Sequence, residues 1–585
     1  MKRNLIFTVW VFVTFLYFNL LVAAPDSIFR YSDRVHPDIA DSNMVVSQNK
    51  IATEVGYQIL EQGGNAVDAA TAIGFALAVT LPRAGNLGGG GFMLIYDSST
   101  KKVSTIDYRS AAPKKAKSEM FLNKNGGVIR YGYIVTAVPG TVAGLIKAHE
   151  EHGNLSLQEV IEPSIDLASK GFRVTYDLFQ ALNFGKVSLL EDTASKTKFY
   201  DSGQNTLPTD SLLIQPDLAK TLRLIGTKGK DGFYKGKTAE LISQASKTNG
   251  GLITQKDLAS YEAKERTAIR TSYRGYQVVT MPPTASGGLV LLQTLNILEN
   301  FNLREQGHNS ANAIHLLSES MKRGYADRTR YHGDPDYFPV PIDQLINKDY
   351  SKERALSIDL NSVTPSSEIF PGKIIVVDES PDTTHFSVID SEGNAVSNTY
   401  TLGSSFGSGV TVPGGGFLLN NQMRNFSHSY GKSERISLST SPANRLQPGK
   451  RMISTQTPTI VFDPQGNLFM ILGSPGGGRI PNIVAQVISN VIDHDMGYAE
   501  AVMAPRINQR LGGKLELETG FSRDTIQLLT LKGHKPTSAP SMGSVQAIFI
   551  DKPFIYGVAD TRRPGAAAKG KTNLCLLYTS DAADE

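Results

Sequence analysis

Between residues 50 and 80 the chain reads KIATEVGYQILEQGGNAVDAATAIGFALAVT. The pattern predicts two alanine-rich helices, with Gly63-Gly64-Asn65 ending one and restarting the next. The stretch GNLGGGGFMLIYD follows, a glycine loop running into a strand from Phe92 to Asp97, and VSTIDYR reads as a second strand. Helical stretches dominate from about Ala143 to Leu298, with VPGTVAGL and YRGYQVVTMPPTASGG as loop punctuation. Beyond them SPDTTHFSVID, NAVSNTYTLG, PTIVFD and NLFMILGS supply strands, and IPNIVAQVISNVIDHDM reads as one more long helix. Early helices, strands in hairpins and late helices predict an α/β (α+β) protein with antiparallel sheets covered by helices.

Composition narrows the function classes. Of 585 residues 40% are hydrophobic and 19% charged, enough for a sizeable core. Lys+Arg number 59 and Asp+Glu 55, a balance that offers no electrostatic footprint for nucleic acid. The start MKRNLIFTVWVFVTFLYFNLLVAAP has a basic head, an apolar run and small residues at Val22-Ala23-Ala24. That is a secretory signal pattern over residues 1–24, so the mature body is expected to be exported, periplasmic or secreted, and free of the membrane. An uncleaved anchor is the alternative, since the run is long and Pro25 follows it. The sole cysteine, Cys575, excludes a disulfide framework and thiolate chemistry. It lies in KTNLCLLYTSDAADE, residues 571–585, where the pattern of the preceding chain stops and no functional residue is sought.

Candidate chemistry centres on Asp382-Thr383-Thr384-His385. A hairpin turn at Ser391–Asn394, with Gly393 at positive φ, sets position 384 opposite roughly position 401 and brings Thr401 near Thr383. Threonine also favours strands, and spacing alone leaves both readings standing. One arrangement activates a threonine without histidine. If the bond between Asp382 and Thr383 is cut, the new α-amine lies a few atoms from its own hydroxyl. With a pKa of about 7.7–8.0, that amine suits the role of general base. The same hydroxyl can make the cut by attacking the Asp382 carbonyl.

The chain resembles the γ-glutamyltranspeptidases, or glutathione hydrolases, of the N-terminal nucleophile hydrolases. Blocks such as GGNAVDAA, GGGGFM, IDYR, AVPGTVAGL, ADRTRYHGDPDY, DTTHFSVID, TYTLGSSFGSG, LLNNQM, GSPGGGRI and MGSVQAI occur in order, and the resemblance runs from about residue 40 to 570. It implies a four-layer αββα sandwich of mainly antiparallel sheets. It also implies a precursor cut before Thr383 into a large subunit, residues 25–382, and a small one, residues 383–570, that together form one globular domain. Thr383 matches the nucleophile, and Thr401 the threonine that hydrogen-bonds it. Gly476 and Gly477 match the glycines of the oxyanion hole, where preorganised N–H groups suit a developing negative charge. Arg109 matches the arginine that holds the substrate α-carboxylate, a role suited to a guanidinium fork. Read from the residues alone, Arg109 is a surface strand residue. Ser454 and Thr455 match a serine pair on the same carboxylate.

The departures concern the substrate α-ammonium. The resemblance implies that an asparagine or similar group, a Gln/Glu and an aspartate hold it. These positions are Gly403, Gln422 and Asn425, with Arg424 just before the last. The expected anion is missing and a cation stands beside its place, a loss of roughly 1.5–3 kcal/mol for a charge-assisted bond. Ser110 also replaces a carboxylate beside Arg109. The implied substrates are a γ-glutamyl amide such as glutathione, with water, an amino acid or a peptide as acceptor. A glutaryl-type acylase and an uncleaved binding relative are the alternatives. His385 is expected to be structural, and Asp334 and Asp336 to be turn residues. The polar stretch between Phe426 and Met452 matches a lid loop. No cluster has metal-ligand spacing and no cofactor is implied.

Overall fold

The structure, a computed structural model, describes residues 35–369, 383–428 and 441–573. The signal segment, Asp382, residues 429–440 of the expected lid loop and Cys575 lie outside them. Two seven-stranded antiparallel sheets face each other with helices on both outer sides, in the four-layer order expected. One sheet orders its strands Ala567–Lys571, Asn43–Ser47, Thr384–Ile389, Ala395–Thr401, Gly90–Asp97, Lys102–Tyr108 and Lys264–Glu265. The other orders them Asp38–Ala40, Phe554–Ala559, Gln546–Asp551, Leu468–Gly473, Thr459–Phe462, Tyr276–Thr280 and Ile269–Tyr273. Strand Ala567–Lys571 runs one residue past the boundary drawn at 570, and Asn573 N–H donates to Asp41.

Alternation along each strand sorts its side chains between two cores. Met93 and Ile95 point to the helix side, whereas Phe92, Leu94 and Tyr96 point between the sheets. Val45 likewise meets the helices and Met44 and Val46 the opposite sheet. Both faces are buried, so these strands read as continuous apolar runs. Helices Lys50–Glu61 and Ala66–Thr80 cover the first sheet, and the second is buried along its whole length. Asn65 caps that helix from its N-terminus in a capping box with Asp68, and Gly63 takes φ +89° in the break.

The same alternation aims the candidate nucleophile. In Thr384–Ile389, Phe386 and Val388 join the helix-side core, so His385 and Ser387 face the second sheet. Position 383 shares their face by its parity. The hairpin pairs Thr384 with Tyr400 and His385 with Thr399, one residue from the expected alignment of 384 with 401. Asp390 causes the shift. Its carboxylate accepts the N–H groups of Glu392 and Asn394, lengthening the loop to Asp390–Asn394, with Gly393 at φ +85°. Continued outward, this register sets Thr383 opposite Thr401 on the face between the sheets.

Candidate active site

Opposite Thr383, strand Leu468–Gly473 of the second sheet ends and the chain turns through Ser474-Pro475-Gly476-Gly477 into helix Ile480–Ile492. Gly473 lets the sheets close here, since a Cβ on it would come within 2.4 Å of the His385 ring. Gly476 adopts φ +140° and Gly477 φ +54°, conformations that favour glycine. Thr383, Thr401, Arg109, Gly403, Ser454, Thr455, Asn425 and Gly477 line a single pocket. Gly476 stands one residue behind the wall. Gln422 is fully buried and off the wall; its amide donates to the Thr401 carbonyl at 2.7 Å.

Arg109 is completely buried, not on the surface as its strand position alone suggests. Its Nε donates to the Met452 carbonyl at 3.3 Å, and Asp107 accepts its backbone N–H. The guanidinium is thereby held against the segment that carries Ser454 and Thr455. Asp107 itself binds the Arg451 guanidinium at 3.0 Å. Ser454 is gripped from the other side. Its N–H donates to Thr284 O, and its carbonyl accepts the Ser286 hydroxyl at 2.8 Å. Arg328 Nε donates in turn to that hydroxyl at 2.8 Å. These two supports come from the blocks MPPTASGG and ADRTRY, which the sequence marked out without assigning a role.

The side of the pocket formed by Gly403, Asn421, Arg424 and Asn425 is built in a specific way. Gly403 holds φ +107°, and a Cβ there would meet Asn421 Oδ1 at 2.3 Å. Asn421, a pocket residue that sequence reasoning passed over, fills that space. Its amide bonds the backbone and hydroxyl of Ser404. Arg424 turns toward the pocket and donates to the Ser404 hydroxyl at 2.8 Å. The Asn425 side chain makes no hydrogen bond among the described residues. No carboxylate is among the residues lining this pocket, whereas two guanidiniums are.

His385 faces the second sheet without entering the pocket. Its ring bonds Thr399 at 2.8 Å and Ser387 at 3.1 Å, and burial lowers its pKa to about 3. Burial also lowers His332 to about 3 and His534 to about 4. Each stays neutral in the folded state while its unfolded counterpart, near 6.5, takes up a proton. Stability is therefore full above pH 6.5 and falls as the pH drops toward 4. Melting temperatures recorded from pH 7.5 to 4 should show this fall; a flat profile contradicts it. Asp334 and Asp336 stand outside the pocket. Asp334 caps the turn and accepts Arg451 N–H, and Asp336 pairs with Arg266 and Lys264. Among the described residues no cluster of His, Cys, Asp or Glu is arranged to hold a metal, and no helix is long and apolar enough to cross a membrane.

A family model described as gamma-glutamyltranspeptidase matches residues 52–570. The chain belongs to the γ-glutamyltranspeptidase family. It is 46% identical over 547 residues to the glutathione hydrolase proenzyme of Escherichia coli, covering 92% of this chain and 94% of that protein. It is also 37% identical over 541 residues to the Acylase ACY 1 proenzyme of a Pseudomonas strain, covering 90% and 94%. Among solved structures, a cephalosporin acylase from Bacillus halodurans superposes with a TM-score of 0.82 at 28% identity, over 94% of this chain and 99% of that one. A γ-glutamyltranspeptidase chain from Helicobacter pylori is 44% identical, with a TM-score of 0.54, over 55% of this chain and 93% of that one. Within a γ-glutamyltranspeptidase, the pocket between the sheets is the candidate active site, and Gly403, Arg424 and Asn425 are part of its lining.

Proposed function

We propose that the chain is a self-processing hydrolase and acyltransferase that cleaves γ-glutamyl amides such as glutathione through an ester on Thr383. One observation carries the proposal: Thr383 opens into the same pocket as Arg109, Ser454, Thr455 and Gly477, a carboxylate-binding end and a glycine turn around one hydroxyl. In the precursor the Thr383 hydroxyl attacks the Asp382 carbonyl; the C–N bond breaks, which frees the α-amine and leaves an ester, and water then hydrolyses the ester, releasing the Asp382 carboxylate and restoring the hydroxyl. In the mature enzyme that amine takes the hydroxyl proton as the oxygen attacks the γ-carbonyl carbon. The Gly476 and Gly477 N–H groups hold the oxyanion. The C–N bond then breaks, the departing amine takes the proton, and Thr383 carries the acyl group. Water or the amine of an amino acid or peptide attacks the ester and restores the hydroxyl. Arg109 and the Ser454–Thr455 backbone hold the α-carboxylate throughout. The proenzyme names of the relatives support a precursor of two subunits, and the amino-terminal signal pattern supports export.

The test uses mature protein. Two fragments on a denaturing gel, the smaller beginning at Thr383, are expected. Mass spectrometry after brief exposure to a γ-glutamyl anilide should find the glutamyl group on Thr383. A persistent single chain, or a modification elsewhere, refutes the proposal.

A second reading concerns the acyl group. The missing carboxylate and the inward Arg424 favour donors without an α-ammonium, such as glutaryl amides, since a buried ammonium here meets like charge. The acylase relative supports this reading. Parallel assays of γ-glutamyl and glutaryl anilides on one preparation separate the two.

A further inference from the structure

The two ends of the pocket share a residue. Thr455 stands in the carboxylate-binding segment, yet its hydroxyl does not turn to that end: it donates to the Gly477 carbonyl at 2.8 Å. Resting on the reading of Gly476 and Gly477 as the oxyanion hole, we propose that Thr455 is a positioning residue for that hole. Its hydroxyl ties the acyl-binding segment to the glycine turn at Gly477, so that the wall that holds the acyl group also steadies a residue whose N–H faces the oxyanion.

The argument begins with glycine's freedom. A turn built from Pro475-Gly476-Gly477-Gly478 has few side chains to restrain it, and each glycine peptide can rotate at little steric cost. An oxyanion hole needs the opposite, N–H groups fixed before the charge appears. Because the peptide unit is planar and trans, pinning the Pro475 and Gly476 carbonyls aims the N–H groups of Gly476 and Gly477, while pinning the Gly477 carbonyl fixes the far side of Gly477, so that its Cα cannot swing and carry its N–H out of line. All four carbonyls of this turn are pinned. Pro475 O accepts the Ser474 hydroxyl at 2.7 Å, and Gly476 O accepts Arg479 N–H at 3.1 Å. Gly477 O accepts both Ile480 N–H and the Thr455 hydroxyl, and Gly478 O accepts the hydroxyl of Tyr325 from helix Ala311–Tyr331.

Thr455 is the pin that comes from the substrate-binding wall. Its own backbone is held in register: Gly287, in the first turn of helix Ser286–Leu298, has no room for a side chain, because a Cβ there would come within 2.3 Å of Thr455 O. The neighbouring Ser454 carbonyl receives the Ser286 hydroxyl. β-Branching restricts χ1 of Thr455, so the hydroxyl is held on the carbonyl more firmly than that of an unbranched residue. A displacement of this wall on acyl binding is thus passed to the turn through one hydrogen bond.

Thr455→Val keeps the branched shape and removes the donor; Thr455→Ser keeps the donor. Steady-state kinetics with both γ-glutamyl and glutaryl anilides, on mature protein with unchanged melting temperature, reads the difference. For the donor class that the wild type uses, Thr455→Val is expected to lower kcat about 10- to 100-fold, below the loss of a direct oxyanion donor, with KM changed by less than about threefold. Thr455→Ser is expected to recover kcat to within about threefold. A raised KM at unchanged kcat would show that the hydroxyl serves the carboxylate and overturns the proposal, as does a Thr455→Val enzyme equal to wild type. If Thr455→Val remains a single chain, the rate of precursor conversion becomes the readout, because self-cleavage passes through an oxyanion at the same threonine. Slow conversion in Val and fast conversion in Ser support the proposal, and equal rates overturn it. Wild-type protein inactive on both donor classes overturns the underlying reading, and this proposal with it.

Discussion

Thr383→Ala is expected to remain one chain, uncleaved between Asp382 and Thr383, and to lose turnover at least about 10⁴-fold. A single oxygen is asked to do two things. It cuts the bond before it, and afterwards it carries the acyl group. Alanine removes the nucleophile for both, and without the cut the amine that serves as base is never released. The neighbouring hydroxyls offer no replacement. Thr384 is fully buried, with parity that turns it to the helix side, and the Thr401 hydroxyl already accepts the Gly403 N–H. Thr383→Ser separates the roles further: it should still cut itself and retain measurable activity, because the chemistry requires a hydroxyl and not a methyl. A denaturing gel and an anilide assay on both variants decide the matter. Full-length Thr383→Ala with near wild-type turnover would remove this residue from the mechanism.

Asn425→Asp is expected to raise kcat/KM for γ-glutamyl anilides about tenfold or more while lowering it for glutaryl anilides. The wild-type wall presents Arg109 and Arg424, and on the proposed reading Arg109 meets the α-carboxylate and Arg424 stands beside the α-ammonium. A carboxylate at 425 supplies the missing counter-charge, worth roughly 1.5–3 kcal/mol when hydrogen-bonded to the ammonium. The new group also lies next to Arg424, whose guanidinium competes for it. The double variant Asn425→Asp with Arg424→Ala is therefore expected to show the larger γ-glutamyl gain. The effect should sit mainly in KM, since the ammonium is bound equally before and during the chemical step. Unchanged or weaker γ-glutamyl turnover in both variants contradicts the electrostatic account of this pocket.

Much of the fold was legible along the chain. The helix pair across Gly63-Gly64-Asn65, the strand entering at Phe92 and the hairpin around Gly393 all rest on local rules. Capping, glycine at positive φ and alternation act within a few residues and need no distant partner. The register was missed by one residue, because it depends on which turn N–H groups the Asp390 carboxylate accepts, and that carboxylate is also bonded to Ala66 N–H from another element. Arg109 shows the same limit. Its strand pattern suits a surface, and only the closure of residues 452–455 over it makes it buried.

The sequence by itself determined the chemical vocabulary: a paired threonine after an aspartate, a glycine run, an arginine closing a strand, and the absence of an acid at 425. These are matters of residue type and of near neighbours, and near neighbours are set by covalent geometry. Tertiary structure alone decided that Arg424 turns inward, that Asn421 occupies the space at Gly403, and that the Thr455 hydroxyl donates to the Gly477 carbonyl. Each of those outcomes depends on which buried donors and acceptors meet across segments some 17 to 22 residues apart, in different elements of the fold. Buried polar groups must find partners, and a linear pattern does not say which partner is near.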